Sequence, residues 1–282
     1  MGAVILDGRA LAENLRADLR ARTAILRGRG VAPRLTVVIA GEDAASVAYV
    51  NGLVRLGAKI GVDVVVDALR HDAAEPALRA RLEYLGGDRN VHGIILQQPL
   101  PPHLALSAVA DAIVVHKDVD AANPATSGRL ASPDGAPFVP ATAAAIMLLL
   151  ENSPHAELAG VRACVIGRSK VVGLPVALLL TARSATVTVT HSKTRDLAHH
   201  TRDAAVLVAA AGVPGLVRAD MVAAGATVID AGTTYADGKV TGDVAYDEVA
   251  AVAGAITPVP GGVGPVTNAA LMRNVVTAAE RA

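Results

Sequence analysis

The chain has 282 residues, a formal net charge of zero and a single cysteine, Cys164. That length leaves room for two modest domains with substantial cores, and the neutral balance gives no electrostatic footprint for nucleic acid. One cysteine excludes an intramolecular disulfide and a cysteine-rich metal site.

The eight histidines contain no H-x-x-x-H pair, so no metal centre is expected. The N-terminal run M-G-A-V-I-L-D-G-R has no basic region leading into a long apolar stretch, and no signal peptide is expected. Apolar runs elsewhere are broken by glycine, proline or charge, which argues against a membrane span and for a cytoplasmic protein.

In chain order, Leu11–Leu26 reads as an amphipathic helix and Leu35–Ile39 as a short strand ended by Gly41-Glu42-Asp43. A helix follows from about Ala44 to Ile60, with Gly61 as its C′ residue. Val62–Val66 is a strand, Ala74–Leu85 a helix, and Gly93–Gln97 a buried strand that stops at Pro99. Phe138-Val139-Pro140 turns the chain into an apolar helix, Ala141–Leu150. A second alternating block follows: strand Arg162–Ile166, helix Pro175–Thr181, strand Ala185–Thr190, then the apolar segments Ala204–Ala209 and Thr227–Ala231. Thr267–Ala282 is the last helix. This alternation predicts an α/β protein built on parallel sheets. A boundary near Pro140 divides it into a first domain, 1–139 plus 266–282, and a second, 140–265.

Strand Arg162–Ile166 runs into Gly167-Arg168-Ser169-Lys170-Val171-Val172-Gly173-Leu174-Pro175. A glycine-bearing turn between a strand and a helix can hold phosphate on its main-chain N–H groups. It lacks the G-x-G-x-x-G fingerprint, and by itself it reads equally well as a structural turn. Arg168 lies beside the turn, and the next strand ends at His191-Ser192-Lys193-Thr194 with no carboxylate. Basic and hydroxyl residues at that place favour a 2′-phosphate, hence NADP over NAD.

Residues Thr257 to Thr267 read T-P-V-P-G-G-V-G-P-V-T. Three prolines and three glycines make a stiff loop poor in side chains, excluding an ordinary helix or central strand there. It is either a plain connector or a wall laid against a flat ligand.

Taken together, G-I-I-L-Q-Q-P-L-P, K-D-V-D, G-R-S-K-V-V-G-L-P, T-V-T-H-S-K-T, G-D-V and the proline-glycine run resemble the methylenetetrahydrofolate dehydrogenase/methenyltetrahydrofolate cyclohydrolase family, the FolD proteins. The resemblance implies two α/β domains forming a cleft, an N-terminal folate domain and a Rossmann-like NADP domain, and a homodimer joined through the latter. It implies that Gly167, Arg168, Ser169, Ser192 and Thr233 contact NADP. It implies that Tyr49, Gln97, Asp120, Gly261 and Gly262 face a tetrahydrofolate substrate, with Tyr49, Gln97 and Asp120 catalytic. A carboxylate such as Asp120 can accept two N–H bonds from the pterin edge, and Tyr49 can stack on the ring.

The family pattern S-x-x-Y-V-x-x-K is Ser46-Val47-Ala48-Tyr49-Val50-Asn51-Gly52-Leu53 here, so Leu53 replaces a lysine. Arg55 and Lys59 are rotated away from that helix face. The family's K-D-V-D-G-F-H-P continues as Lys117-Asp118-Val119-Asp120-Ala121-Ala122-Asn123-Pro124, and Leu174 stands where V-G-K-P has its lysine. Leucine offers no proton for hydrolysis, whereas hydride transfer depends mainly on alignment. The expectation is an NADP-dependent methylenetetrahydrofolate dehydrogenase with weak or absent cyclohydrolase activity. Two other readings stay open: a specialised paralogue handing a folate one-carbon unit to another small molecule, and an inactive binding homologue.

Overall fold

The computed structural model describes residues 2–41, 44–132, 135–236 and 239–282. Its strands are, in chain order, β1 (Val4–Ile5), β2 (Arg34–Ala40), β3 (Asp63–Leu69), β4 (Gly93–Leu96), β5 (Arg162–Ile166), β6 (Thr186–Thr190), β7 (Val206–Ala209), β8 (Thr227–Asp230), β9 (Thr234–Ala236), β10 (Lys239–Thr241) and β11 (Ala255–Ile256). The chain divides into two compact units, Asn14–Ala141 with Asn268–Ala282, and Met1–Glu13 with Thr142–Thr267.

The first unit is built on a parallel three-stranded sheet in the order β3-β2-β4. Central β2 and β4 read as nearly unbroken apolar runs because both sheet faces are covered. On one face Val37 and Ile39 pack with Leu19 and Leu26, with Leu53, Leu56 and Ile60, and with Leu271, Val275 and Val276. The last three come from the terminal helix Val263–Glu280, and their burial ties residues 268–282 to this unit. On the other face Val38, Ile94 and Leu96 meet Leu78, Leu82 and Leu85 of the helix Glu75–Gly87.

The second unit is a doubly wound parallel sheet in the order β1-β11-β8-β7-β5-β6. From β5 the chain goes outward to β6 and then crosses back to β7, so the sheet has its switch point between β5 and β7. Ligands of such sheets bind outside the carboxyl ends of the strands at that point. A short antiparallel hairpin, β9–β10, leaves the sheet after β8.

Strand β5 spans the residues expected from the sequence, and β3 runs on to Leu69. Glu42 and Asp43, expected to end β2, lie outside the described residues. Residues 1–13 group with 142–267 rather than with the first block. The cause is β1, which adds itself in parallel to β11, with Val4 opposite Ala255 and Ile5 opposite Ile256. Two residues are too few to show a strand period.

The terminal helix starts at Val263, not Thr267, so Gly264 and Pro265 lie in its first turn. The N–H groups of a first turn have no helical acceptor, so proline loses nothing there. The irregular part of the proline-glycine run is therefore 257–262.

β8 ends in a buried carboxylate. Asp230 Oδ1 accepts the Gly232 and Asp243 N–H groups, both at 2.9 Å, and Oδ2 accepts the Val244 N–H at 3.0 Å. Asp230→Ala leaves three main-chain donors without their acceptor. We expect a loss of roughly 3 kcal/mol or more, measured as a lowered urea midpoint.

Candidate functional site

Two groups of residues stand out, one in each unit. In the unit containing residues 142–267, the turn after β5 and the ends of β6 and β7 enclose a cavity of about 460 Å³. Gly167, Arg168, Ser169 and Ser192 all line it, together with His191 and Thr194. The turn is shaped by close approaches of main chain. Gly167 has φ +121°, and a Cβ there would run into the Ala210 carbonyl; one at Gly173 would run into that of Gly167. A side chain at Gly167 would push the turn away from the end of β7, and one at Gly173 would push the following helix away from the turn.

Ser169 Oγ accepts the Val172 N–H at 3.1 Å and the Gly173 N–H at 3.4 Å, which leaves its own proton to donate. The turn after β6 is held by Thr194 Oγ1 accepting the His191 N–H (2.9 Å) and by His191 Nδ1 accepting the Lys193 N–H (3.1 Å). Arg168 is exposed, and no acidic side chain lines the cavity. The chemistry on offer is a guanidinium, hydroxyls and a glycine turn, a set suited to phosphate. Leu197, Val213 and Leu216 add an apolar wall that no motif announced.

Thr233 is exposed and does not line this cavity; it lies between β8 and β9. Asp243, also missed as a site residue, shapes the loop beyond β7. Its Oδ2 accepts the Ala211 N–H at 2.6 Å and the Gly212 N–H at 2.9 Å, while Oδ1 is buried with no hydrogen-bond partner. The motif G-D-V was its only signal.

Gly261 and Gly262 belong to this same unit. Gly261 has φ +118°, and its missing Cβ would sit 3.1 Å from the Arg9 guanidinium carbon. A Cβ on Gly262 would lie 2.6 Å from the Pro258 carbonyl oxygen and 2.7 Å from Thr257 Cβ. The left-handed backbone at Gly261 and the close packing at Gly262 thus each favour glycine within the chain itself.

The other group is in the unit 14–141. Tyr49 and Leu53 share one face of the helix Ala44–Ile60, a turn apart. Tyr49 is half-buried against the core, and Leu53 is 0 % exposed within it. Arg55 and Lys59 are exposed.

Asp120 is half-buried, and its Oδ1 accepts the Ala141 N–H at 2.7 Å. Burial pushes its carboxyl up to about 6; the Ala141 bond opposes this and Asp118 adds to it. Burial and then the Asp120 charge push the Tyr49 hydroxyl well above the usual phenol range, so it stays a proton donor. The pair couples a phenol that keeps its proton to a carboxyl that titrates near neutrality.

Gln97 follows β4. Its amide donates to the Gln98 carbonyl at 2.7 Å and to Ser46 Oγ at 3.5 Å, and Ser46 Oγ donates to the same carbonyl at 3.1 Å. Ser46 lies on the helix one turn before Tyr49 and tethers it to the strand end. The structure thus brings Tyr49 to Asp120, and Gln97 to Ser46. Asp120 is followed by Ala121 at φ +52°, where the resemblance has glycine. Left-handed backbone at an alanine is strained by roughly 1–2 kcal/mol. The turn is held by Asp118, whose oxygens accept the Ala122 and Asn123 N–H groups, both at 2.9 Å. No cluster of metal-ligating side chains occurs among the described residues.

Comparisons with known proteins agree with this arrangement. Residues 6–120 match the tetrahydrofolate dehydrogenase/cyclohydrolase catalytic domain, and residues 140–282 match the NAD(P)-binding domain of the same family. The bifunctional protein FolD of Parafrankia sp. is 50% identical over 276 residues, covering 98% of each chain. The crystal structure of the bifunctional FolD enzyme from Campylobacter jejuni superposes with a TM-score of 0.96 at 37% identity, covering 99% of each chain. The Trypanosoma brucei FolD structure, complexed with NADP and an inhibitor, gives 0.94 at 38% identity over 100% of this chain and 98% of that one. The chain belongs to the tetrahydrofolate dehydrogenase/cyclohydrolase family, the FolD proteins.

Proposed function

We propose that this protein oxidises 5,10-methylenetetrahydrofolate to 5,10-methenyltetrahydrofolate with NADP and is a poor cyclohydrolase. The observation that carries this reading is on one helix: Tyr49 keeps Asp120 as its neighbour, while the next position on that face is a wholly buried leucine. Gly167, Arg168, Ser169 and Ser192 hold the cofactor, and Thr233 is assigned to it from the resemblance alone. Tyr49, Gln97 and Asp120 hold the folate, with Gly261 and Gly262 facing the same substrate. The protein is cytoplasmic and works as a homodimer joined through its NADP units, with no nucleic-acid or membrane partner.

Hydride transfer needs the nicotinamide C4 and the methylene carbon held in line, with the cofactor supplying the chemistry. Tyr49 and Asp120 serve this by binding and orienting the pterin. Hydrolysis of the methenyl product needs water activated and a proton delivered as the ring opens. Leu53 has no proton to give.

Paired assays of NADPH formation and methenyl hydrolysis test the reading. Hydrolysis by the native protein is expected to be at least about 100-fold slower than NADPH formation, the scale of a lost general acid–base group. Comparable rates would overturn the proposal. Leu53→Lys should raise hydrolysis and lower the melting temperature, since the new ammonium must leave a core position to reach polar neighbours.

Arg168→Ala should raise the KM for NADP about tenfold or more, the worth of one charge-assisted contact, and leave the KM for NAD nearly unchanged. An equal effect on both cofactors would show that Arg168 does not read the 2′-phosphate.

Asp120 binds pterin N–H groups as a carboxylate. Its pKa of about 6 is raised above the ordinary 3.8, so the ionised fraction grows as pH rises through 6. Folate KM should therefore fall between pH 5 and pH 7 by roughly tenfold, and Asp120→Asn should flatten that limb. A KM profile that keeps its slope in Asp120→Asn would assign the titration elsewhere.

A further inference from the structure

A second cavity, of about 500 Å³, lies in the unit 14–141 and belongs to neither group of residues described above. It opens beside the amino end of β4, where His92 precedes the strand, whereas Gln97 follows the strand's carboxyl end. Its charged and titratable lining is Arg89, His92, His116, Lys117 and Arg281, with no acidic side chain.

These groups are unspent or only partly spent. Lys117 is 8 % exposed, and its Nζ donates to the Leu85 and Asp88 carbonyls at 3.3 and 2.7 Å. An ammonium has three donors, so one remains. His92 is 7 % exposed and accepts the Arg34 N–H on Nδ1 at 3.2 Å. Its neutral ring therefore carries its proton on Nε2, which has no acceptor among the described residues. Arg89 and His116 are exposed, and neither is in an ion pair among the described residues. The Arg281 guanidinium lies over Phe138 at 5.7 Å, donates to the Pro137 carbonyl at 3.4 Å, and feels the charge of the neighbouring Glu280.

The surroundings add positive charge. Arg34 Nε is buried without an acceptor. The nearby acid, Asp88, has one oxygen engaged by both N–H groups of Asn90, at 2.8 and 3.0 Å. Burial, and then the Lys117 and Arg34 charges, hold His92 below its ordinary range, and the Asp88 carboxylate offsets those charges only from the Lys117 side.

We propose that this cavity binds a small phosphoryl anion, a phosphomonoester or a diphosphate, on Arg89, His116, Lys117 and Arg281. Guanidinium forks match phosphoryl oxygens in pairs. A bound anion would also relieve the repulsion among the cations and supply the acceptor that His92 lacks. The concave shape and its volume suit a small molecule.

Equilibrium dialysis of labelled pyrophosphate against the full chain tests this, with Arg168→Ala used to silence the other phosphate-suited site. The native protein and Arg168→Ala should both bind. Arg89→Glu and Arg281→Ala, each replacing an exposed side chain, should weaken binding tenfold or more with unchanged melting temperature. The proposal fails if the native protein does not bind pyrophosphate at millimolar concentration. It fails equally if binding is lost in Arg168→Ala and survives in both Arg89→Glu and Arg281→Ala.

Discussion

Aspartates that accept main-chain N–H groups hold the loops of both units at the ends of their strands. Asp230 takes three such bonds at the end of β8, and Asp243 takes two beyond β7. Asp118 takes two in the turn that carries Asp120, and Asp120 itself takes one from Ala141. These loops cannot satisfy their donors in a sheet ladder, and a carboxylate with several lone pairs is the smallest group that can gather them. Gathering has a cost. Burial holds Asp118 and Asp230 above the ordinary carboxylate range even though their N–H partners pull the other way. The charge is less comfortable there than in water, and what it secures is the path of the chain.

That path is where function gathers. In the doubly wound unit, the switch point between β5 and β7 opens a crevice, and Gly167 and Gly173 let the turn close to main-chain contact. Asp243 consumes the N–H groups of Ala211 and Gly212 from the facing loop. The donors left for a ligand are then those of the glycine turn, the Ser169 and Ser192 hydroxyls and the Arg168 guanidinium.

Much of this could be read from the sequence because it rests on local rules. Alternating helical and strand periods gave the α/β class, and the apolar runs at 35–39 and 93–97 marked strands covered on both faces. Glycines at 167 and 173 marked a turn that a Cβ would block. What escaped had no local signature. β1 has two residues, and its pairing with β11 is a contact across some 250 positions, so no period reveals it. The terminal helix absorbed a proline because first-turn N–H groups need no acceptor. The main-chain donors that Asp230 and Asp243 gather come from distant loops, which no sequence pattern marks. The place of a Cβ on Gly262 is taken by Thr257 and Pro258 of its own chain, a packing demand with no sequence signal.

Leu53 carries the same lesson into chemistry. From sequence it is a lost lysine; in the structure it is also a core residue, packed with Leu19, Val37 and Val275. A titratable group there would need its charge desolvated or led out along the helix face. Leucine contributes ordinary burial at the same spot, on the order of 2 kcal/mol. On the proposed reading the exchange is asymmetric. Tyr49 and Asp120 still offer a hydroxyl and a carboxylate to a pterin, and orientation is what hydride transfer asks of the protein. Opening the methenyl ring asks for a mobile proton; the Tyr49 phenol holds its proton tightly, and the proton on Asp120 is given up as pH rises through 6. The dehydrogenase half can therefore run where the carboxylate is ionised and the folate is held tightly, and under those same conditions the protonated fraction of Asp120 that could serve hydrolysis falls away.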